Sequence, residues 1–206
     1  MSQYFKAHPA NPQPRLIRRA VEIIRGGGVI AYPTDSSYAL GCAIGEKAPL
    51  ERIRRIRKVG DEHNFTLVCK DLSELSVYAA VDNDAFRLLK RFTPGPYTFI
   101  LAATREVPRR LQHPRRRSIG LRVPDYPIVS ALLAQLGEPL MSSTLILPGE
   151  RRALNDPEEI RARLEHEIDL VIDGGPCDAL PTSVVDLASG APQVRREGKG
   201  DTAAFA

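Results

Sequence analysis

The chain has 206 residues, of which 43% are hydrophobic and 26% are charged, and its formal net charge is +4. This composition excludes an intrinsically disordered chain and predicts one folded domain, while three dispersed cysteines argue against a disulfide framework or a zinc site. Because the sequence has neither a signal peptide nor an apolar run of about 18 residues, we expect a cytoplasmic protein that does not enter a membrane.

Helical and strand patterns alternate along the first half of the chain. Residues 1–14 contain three prolines and predict an extended N-terminal segment. Apolar residues at helical spacing then predict a helix over Arg15–Arg25, which the glycines at 26–28 end. Further predicted elements are strands at Val29–Tyr32 and Tyr38–Ala43, a helix at Pro49–Lys58, a strand at Phe65–Cys69, a helix at Asp84–Phe92 and a strand at Tyr97–Ala102.

The alternation continues to the end of the chain. Asp156 and Pro157 provide a cap and a favourable first position for a helix that we expect to run to His166. The other predicted elements are a strand at Ile119–Val123, a helix at Pro127–Leu136, and strands at Pro139–Ser142, Leu170–Ile172, Ser183–Leu187 and Gln193–Arg195. We therefore predict a single α/β domain over residues 1–206, built on a twisted mixed β-sheet flanked by helices.

Basic residues concentrate in two places. The first basic cluster comprises Arg52, Arg54, Arg55, Arg57 and Lys58, and the second comprises Arg109, Arg110, Arg115, Arg116 and Arg117. Guanidinium groups bind phosphates through paired hydrogen bonds, so the clusters are suited to nucleotides or nucleic acid. The alternative interpretation is a solvated basic surface.

Loops that follow strands are the expected ligand sites of an α/β sheet. Four such loops carry hydroxyl or cationic side chains, at residues 33–38, 123–127, 142–149 and 181–183. The sequence contains no Walker A loop, no Gly-x-Gly-x-x-Gly fingerprint and no nucleophile elbow, and its four histidines lack ligand spacing. Covalent hydrolase chemistry and a protein-built metal site therefore have no support in the sequence.

Five segments match the motifs of one known family, in the same order. Residues 32–40 (YPTDSSYAL) resemble Y-P-T-D-T-x-Y-G-L, 93–98 resemble P-G-P-x-T, 120–127 resemble G-x-R-x-P-x-x-P, 181–186 resemble P-S-T-V-V-D and 195–198 resemble R-x-G. Together they extend over nearly the whole chain. The sequence thus resembles the YrdC/YciO family, whose enzymes are threonylcarbamoyl-AMP synthases.

This resemblance implies a nucleotidyltransferase that joins L-threonine, bicarbonate and ATP, with Mg²⁺ accompanying ATP, into threonylcarbamoyl-AMP and pyrophosphate for the tRNA modification t6A. The threonine-binding residues that it implies are Thr34, Tyr38, Arg122 and Ser183. The nucleotide-binding residues that it implies are Arg57, Lys58, Ser142, Thr144 and Arg196. Structural roles stay open for several of them: a turn at Thr34, a core position for Tyr38 and an ion pair for Arg122.

Two segments depart from the synthase pattern. The family's Lys-x-Arg-Pro reads here as residues 57–60, with Val59 at the second cation, and its Ser-x-Asn places Ile146 at the asparagine. Losing a guanidinium and an amide from a triphosphate site costs several kcal/mol, at about 1.5–3 for each charged hydrogen bond. These departures, together with residues 63–67 and the opening 1–5, resemble the YciO branch.

Three functions are therefore compatible with the sequence. The first is the synthase reaction, slow or altered in substrate. The second is binding of double-stranded RNA or tRNA by a protein that retains the fold without synthesis, which would be strongly salt-dependent. The third is regulatory binding of a small phosphorylated or amino-acid ligand, which would stabilise the chain without turnover.

Overall fold

One mixed β-sheet of ten strands runs through the molecule in the computed structural model, which describes residues 1–60, 63 and 65–205. The strands are β1 (Gln3–Lys6), β2 (Ile30–Tyr32), β3 (Ala39–Ala43), β4 (Thr66–Val68), β5 (Tyr97–Ala102), β6 (Ser118–Arg122), β7 (Leu140–Thr144), β8 (Leu170–Asp173), β9 (Ser183–Asp186) and β10 (Gln193–Arg196). Their order is β1-β8-β2-β3-β7-β4-β6-β5-β9-β10. The pairs β1–β8, β8–β2, β4–β6 and β5–β9 are parallel and the others antiparallel, which confirms the predicted mixed sheet.

Six α-helices connect these strands within the described ranges. They are α1 (Pro14–Arg25), α2 (Lys47–Arg57), α3 (Leu72–Tyr78), α4 (Asn83–Phe92), α5 (Pro127–Leu136) and α6 (Pro157–Leu164). The side chains of Asp82 and Asp156 cap α4 and α6 by accepting hydrogen bonds from backbone N–H groups of their first turns. Gly137, at a φ of 76°, ends α5 in the left-handed conformation that glycine adopts without strain.

The two faces of the sheet are covered unequally. One face packs against α2, α4 and α6, and its core contains residues from widely separated parts of the chain, such as Leu50, Phe99 and Val185. The opposite face packs against α1 and α5 around residues such as Ile24 and Leu132. In the described part of the chain, that second core contains no residue of β5, β6 or β9. On this side the strands β5, β6 and β9 are therefore not covered by α1 or α5, and they form the floor of a cavity.

Two elements are absent from the prediction. The extended segment predicted at residues 1–14 contributes β1, which pairs in parallel with β8, and Gln3 N donates to Asp169 O at 2.8 Å. The sequence also did not predict the seven-residue helix α3, in which only Leu75 is buried. Asn64, part of the segment that resembles the YciO branch, lies outside the described residues. Within those residues, no helix has both the length and the apolar character needed to cross a membrane.

Candidate functional site

A cavity of about 360 Å³ lies on the free face of β4, β5, β6 and β9. Thr66, Gly120 and Ile100 are directly opposite one another on neighbouring strands and form part of its floor. The floor also contains Thr98, Thr182 and Val184, and the walls carry Arg57, Arg116, Arg195, Arg196, His63, Ser143, Thr144 and Ile146. Because Arg57 belongs to the first basic cluster and Arg116 to the second, the fold brings one residue of each to this arginine-lined cavity.

Arg57, the last residue of α2, is held in the cavity wall by neutral groups. Its Nε donates to Ile146 O at 2.9 Å and its Nη1 to Ser143 Oγ at 2.5 Å. No carboxylate of the described residues pairs with it. Burial, and secondarily the charge of Arg196, lower the pKa of Arg57 to about 10, so the guanidinium remains charged at pH 7.

Arg196, on β10, has the same kind of surroundings. Its Nε and Nη2 donate to Thr182 O at 3.0 and 2.8 Å, and no carboxylate in the described ranges pairs with it. Burial, and secondarily the charge of Arg122, lower its pKa. Arg57 and Arg196 are thus two partly buried like charges without compensation, and an anion between them would remove an unfavourable interaction.

The other two arginines of the cavity share one carboxylate. Asp186 is 1% exposed, and its Oδ2 accepts hydrogen bonds from Arg116 Nη1 at 3.1 Å and from Arg195 Nε and Nη2 at 3.1 and 2.9 Å. Its Oδ1 accepts from Ala188 N at 3.0 Å. With four guanidinium groups against this one carboxylate, the cavity has a net charge of +3 from the described residues.

His63 adds no charge to the cavity. Its Nε2 lies 3.1 Å from Ser143 Oγ, and its ring contacts Phe65 edge to face. Burial, followed by the charges of Arg57 and Arg54, lowers the pKa of His63 to about 4. The imidazole is therefore neutral at pH 7, and the cavity wall here offers hydrogen-bonding groups only.

Next to the cavity lies a second polar cluster, the Arg122 site, which comprises Arg122 at the end of β6 and the loop residues Thr34, Asp35 and Ser36. Nη2 of Arg122 is ion-paired with Asp35 and donates to Thr34 Oγ1 at 3.2 Å and Ser36 Oγ at 3.1 Å. The Nε of Arg122 is buried and has no hydrogen-bond partner among the described residues. The site therefore contains one buried donor that no described residue satisfies.

Tyr38 ends the loop that carries Thr34, Asp35 and Ser36, and its side chain is hydrogen-bonded to the loop after β8. Its hydroxyl donates to Gly175 O at 2.9 Å and accepts from Gly174 N at 3.3 Å. Burial raises the pKa of Tyr38, so its hydroxyl is a neutral hydrogen-bonding group. Cys177 Sγ donates to Thr34 O at 3.5 Å, which joins this loop to the Arg122 site.

Three of the residues implied by the motifs have their side chains elsewhere. Ser183 Oγ donates to Gly200 O at 2.5 Å and accepts from Gly198 N at 3.0 Å, so it secures the C-terminal segment. Ser142 Oγ lies 2.7 Å from the hydroxyl of Tyr32, on the side of α1 and α5. Lys58 is exposed after the end of α2 and does not line the cavity.

A neighbour of each of these residues lines the cavity. Thr182 lies there next to Ser183 and Ser143 next to Ser142, while Arg57, which the motifs also implied, lies there next to Lys58. Sequence reasoning also assigned no role to His63, Arg116, Arg195 or Asp186. The second basic cluster and the motifs at 181–186 and 195–198 contained the last three, but the motifs gave no indication that these residues would meet.

A family model for Sua5, YciO and YrdC proteins, described as telomere recombination, matches residues 22–198. The chain belongs to this family. It is 60% identical to the uncharacterized protein YciO of Escherichia coli K12 over 205 residues, which covers all of both chains. The crystal structure of E. coli YciO, at 59% identity, also covers both chains fully and superposes with a TM-score of 0.98.

More distant members of the Sua5/YciO/YrdC family have a named activity. A threonylcarbamoyl-AMP synthase of Nitrosococcus oceani is 33% identical over 159 residues, covering 77% of this chain and 85% of the synthase. The crystal structure of P. abyssi Sua5 complexed with L-threonine matches with a TM-score of 0.88 at 24% identity, covering 96% of this chain and 58% of Sua5. The structural similarity to P. abyssi Sua5 shows a shared fold.

Proposed function

We propose that the chain is a nucleotidyltransferase of the threonylcarbamoyl-AMP synthase type, which joins L-threonine, bicarbonate and ATP and releases pyrophosphate. The observation that carries the proposal is the pair Arg57 and Arg196, whose guanidinium groups line one cavity without a carboxylate partner in the described residues. The identity to a synthase over most of both chains supports the reaction class. The product would feed tRNA t6A modification.

The amino acid would bind at the Arg122 site. The unpartnered Nε of Arg122 can donate to a carboxylate, and Thr34 offers a hydroxyl beside it. Asp35 makes the site neutral overall, which suits a zwitterion better than an anion. A Sua5 of the same fold has been solved in complex with L-threonine, which supports an amino acid as a substrate.

The nucleotide phosphates would bind in the arginine-lined cavity. Arg57 and Arg196 would neutralise phosphate oxygens, and the hydroxyls of Ser143 and Thr144 would donate to them. Mg²⁺ would arrive bound to ATP. Bicarbonate would lose water to give CO₂, and the threonine amine would bond to the CO₂ carbon and lose a proton, which forms a carbamate. A carbamate oxygen would then bond to the α-phosphorus as the bond to pyrophosphate breaks, so the residues of this chain would act by positioning and by charge neutralisation.

A turnover assay with ATP, Mg²⁺, L-threonine and bicarbonate tests the proposal. Threonylcarbamoyl-AMP is detected by mass spectrometry beside a blank without protein. We expect product from the wild-type chain and from the surface control Arg163→Gln, and about 10–100-fold less from Arg57→Gln, which loses one charged contact to phosphate. A folded wild-type chain that makes no product above the blank would contradict the proposal.

RNA binding is the second candidate function, and the structure favours the second basic cluster as its surface. Arg109, Arg110 and Arg117 are exposed and have no carboxylate partner among the described residues. In the first basic cluster, by contrast, Arg52 is paired with Asp169 and Arg55 lies 3.6 Å from a carboxylate oxygen of Glu167.

Gel shifts with tRNA and duplex RNA at increasing salt test this second candidate. The triple variant at Arg109, Arg110 and Arg117 to Gln should weaken binding and make it less salt-dependent, because fewer counterions are released. The double variant at Arg52 and Arg55 to Gln is the matched control and should bind as the wild type does. No shift at micromolar protein would rule the function out.

A further inference from the structure

The β9–β10 hairpin is irregular where it meets the cavity. The pairing register shifts by one residue between Val194 and Arg196, so Arg195 is the extra residue of a β-bulge. Side chains on a regular strand alternate between the two faces of the sheet. Here Arg195 and Arg196 both line the cavity, because a bulge changes the direction of a side chain relative to its neighbours.

Asp186 holds this bulge in place. Its buried carboxylate accepts two hydrogen bonds from Arg195 through a single oxygen, and the same oxygen accepts one from Arg116. Its other oxygen accepts a hydrogen bond from the backbone N–H of Ala188. One carboxylate thus joins β9, β10 and the loop before β6, and no hydrogen bond links it to Arg196.

The direction of the Arg196 side chain depends on this arrangement. Arg196 is anchored by Thr182 O and by Thr182 Oγ1 at 3.2 Å, both on the chain just before β9. In the structure these contacts coincide with the shifted register of β10 against β9. A change of register would change the direction in which the Arg196 guanidinium projects.

We propose that Asp186 is a positioning residue for the anion site of the arginine-lined cavity. By fixing Arg195 it fixes the bulge that directs Arg196 toward Arg57. The proposal deepens the proposed function, on which it rests only in requiring that the cavity bind an anion. Asp186 would not touch the ligand itself.

Electrostatics alone predicts the opposite effect of removing this carboxylate. Asp186 is the one negative charge among the described residues that contact the cavity arginines, and a carboxylate repels an anionic ligand. Its replacement by asparagine should therefore tighten anion binding if charge alone matters. If Asp186 positions Arg196, the same replacement should weaken binding although the net positive charge increases.

Calorimetric titration of the full chain with inorganic pyrophosphate, at fixed ionic strength and below the melting temperature of every variant, separates the two effects. We expect Asp186→Asn to bind about tenfold more weakly, the scale of one lost charge-assisted hydrogen bond. Arg195→Lys keeps the charge but replaces the rigid guanidinium, whose Nε and Nη2 both donate to Asp186 Oδ2, by a single flexible ammonium nitrogen, so it should weaken binding similarly. The double variant should be no weaker, because both changes act on one pair.

Asp178→Asn is the matched control. It removes the same charge from a carboxylate that pairs with Lys199 outside the cavity, and it should leave the pyrophosphate affinity unchanged. Tighter or equal binding by folded Asp186→Asn would overturn the proposal. A lower melting temperature with an unchanged affinity would also overturn it, since it would show a purely structural ion pair.

Two further outcomes keep this inference separate from the proposed function. If Asp186→Asn does not fold, Arg195→Lys decides by the same criterion. A wild-type chain that binds pyrophosphate but makes no threonylcarbamoyl-AMP contradicts the proposed function alone. A wild-type chain that binds no pyrophosphate contradicts the role assigned to Asp186.

Discussion

The Arg122 site and the arginine-lined cavity both contain buried guanidinium groups, but their charges are balanced in different ways. Arg122 is paired with Asp35 inside the protein and also donates hydrogen bonds to two hydroxyl oxygens. Arg57 and Arg196 donate only to neutral oxygens, and each cation lies close to another. In the first arrangement both charges are compensated within the protein, whereas the cations of the second are compensated only when an anion binds.

This difference corresponds to the two proposed substrates. A free amino acid carries one positive and one negative charge, and the Arg122 site is neutral overall. A nucleotide triphosphate is strongly anionic, and the cavity carries an excess of positive charge. The comparison therefore predicts that substitutions at the two places will divide into those that cost stability and those that cost binding.

The largest effect should come from breaking the compensated pair. Arg122→Ala leaves Asp35, whose side chain is 10% exposed, with only the N–H of Asp125 as a partner among the described residues. We expect a loss of about 3–5 kcal/mol in the free energy of unfolding, measured by urea denaturation. Arg163→Ala, which breaks exposed pairs, should cost less than about 1 kcal/mol.

A double variant distinguishes the lost pair from lost packing. Arg122→Met combined with Asp35→Asn removes both charges together, so it should recover most of the stability that Arg122→Ala loses. Equal unfolding free energies for Arg122→Ala and Arg163→Ala would show that the buried pair does not stabilise the fold.

Substitutions in the cavity should lower ligand affinity but leave the free energy of unfolding nearly unchanged. Arg57→Gln and Arg196→Gln each remove a cation that has no carboxylate partner in the described ranges, so the unfolding free energy should change by less than about 1 kcal/mol. Pyrophosphate affinity, measured by calorimetry, should fall about 10–100-fold. The control is Arg25→Gln, whose guanidinium donates to backbone carbonyls far from the cavity. A large stability loss with unchanged affinity would make these arginines structural.

Ile146 offers a smaller and opposite change. Its side chain lines the cavity, and its carbonyl fixes Arg57. Ile146→Asn would place an amide where the synthase pattern has one, and we expect ATP to bind about tenfold more tightly. Ile146→Leu, which keeps the apolar surface, should bind ATP as the wild type does. Equal affinities for the two variants would show that position 146 does not contact the nucleotide.

Most of the fold followed from patterns that operate over a few residues. The helix at Pro127–Leu136 and the strand at Tyr97–Ala102 begin and end where the sequence predicted. β1 was missed because its only signal is a pairing with β8, more than 160 residues away, and it is four residues long. α3 was missed because it has only seven residues, so its apolar side chains at Leu72, Leu75 and Tyr78 extend over less than two full turns.

The motifs select segments that border the cavity and the Arg122 site, but they do not determine which side chain of a segment faces the cavity. Ser142 and Ser143 are adjacent on β7 and project to opposite faces, and only the register with β3 and β4 decides which face contains the cavity. The bulge at Arg195 reverses the alternation that a sequence pattern would assume. Such choices depend on contacts between distant segments, which no local pattern records.

The pH dependence of stability should reflect the titration of His63. Its pKa is about 4 in the folded protein and near 6.5 in an unfolded chain, so the unfolded state binds more protons between these values. Stability should therefore fall as the pH decreases from 6.5 toward 4, and His63 should contribute nothing to this slope above that window. Allowing for partial exposure, we expect a loss of about 1–2 kcal/mol.

The difference in unfolding free energy between the wild-type chain and His63→Asn, measured at several pH values, isolates this effect because the carboxylates titrate in both proteins. The slope also reports on the uncompensated charge of the cavity. Arg57→Gln removes a cation that disfavours protonation of His63, and bound pyrophosphate would neutralise it, so either change should make the slope shallower. If neither change alters the slope, burial alone lowers the pKa of His63, and the charge of the cavity arginines has no effect on it.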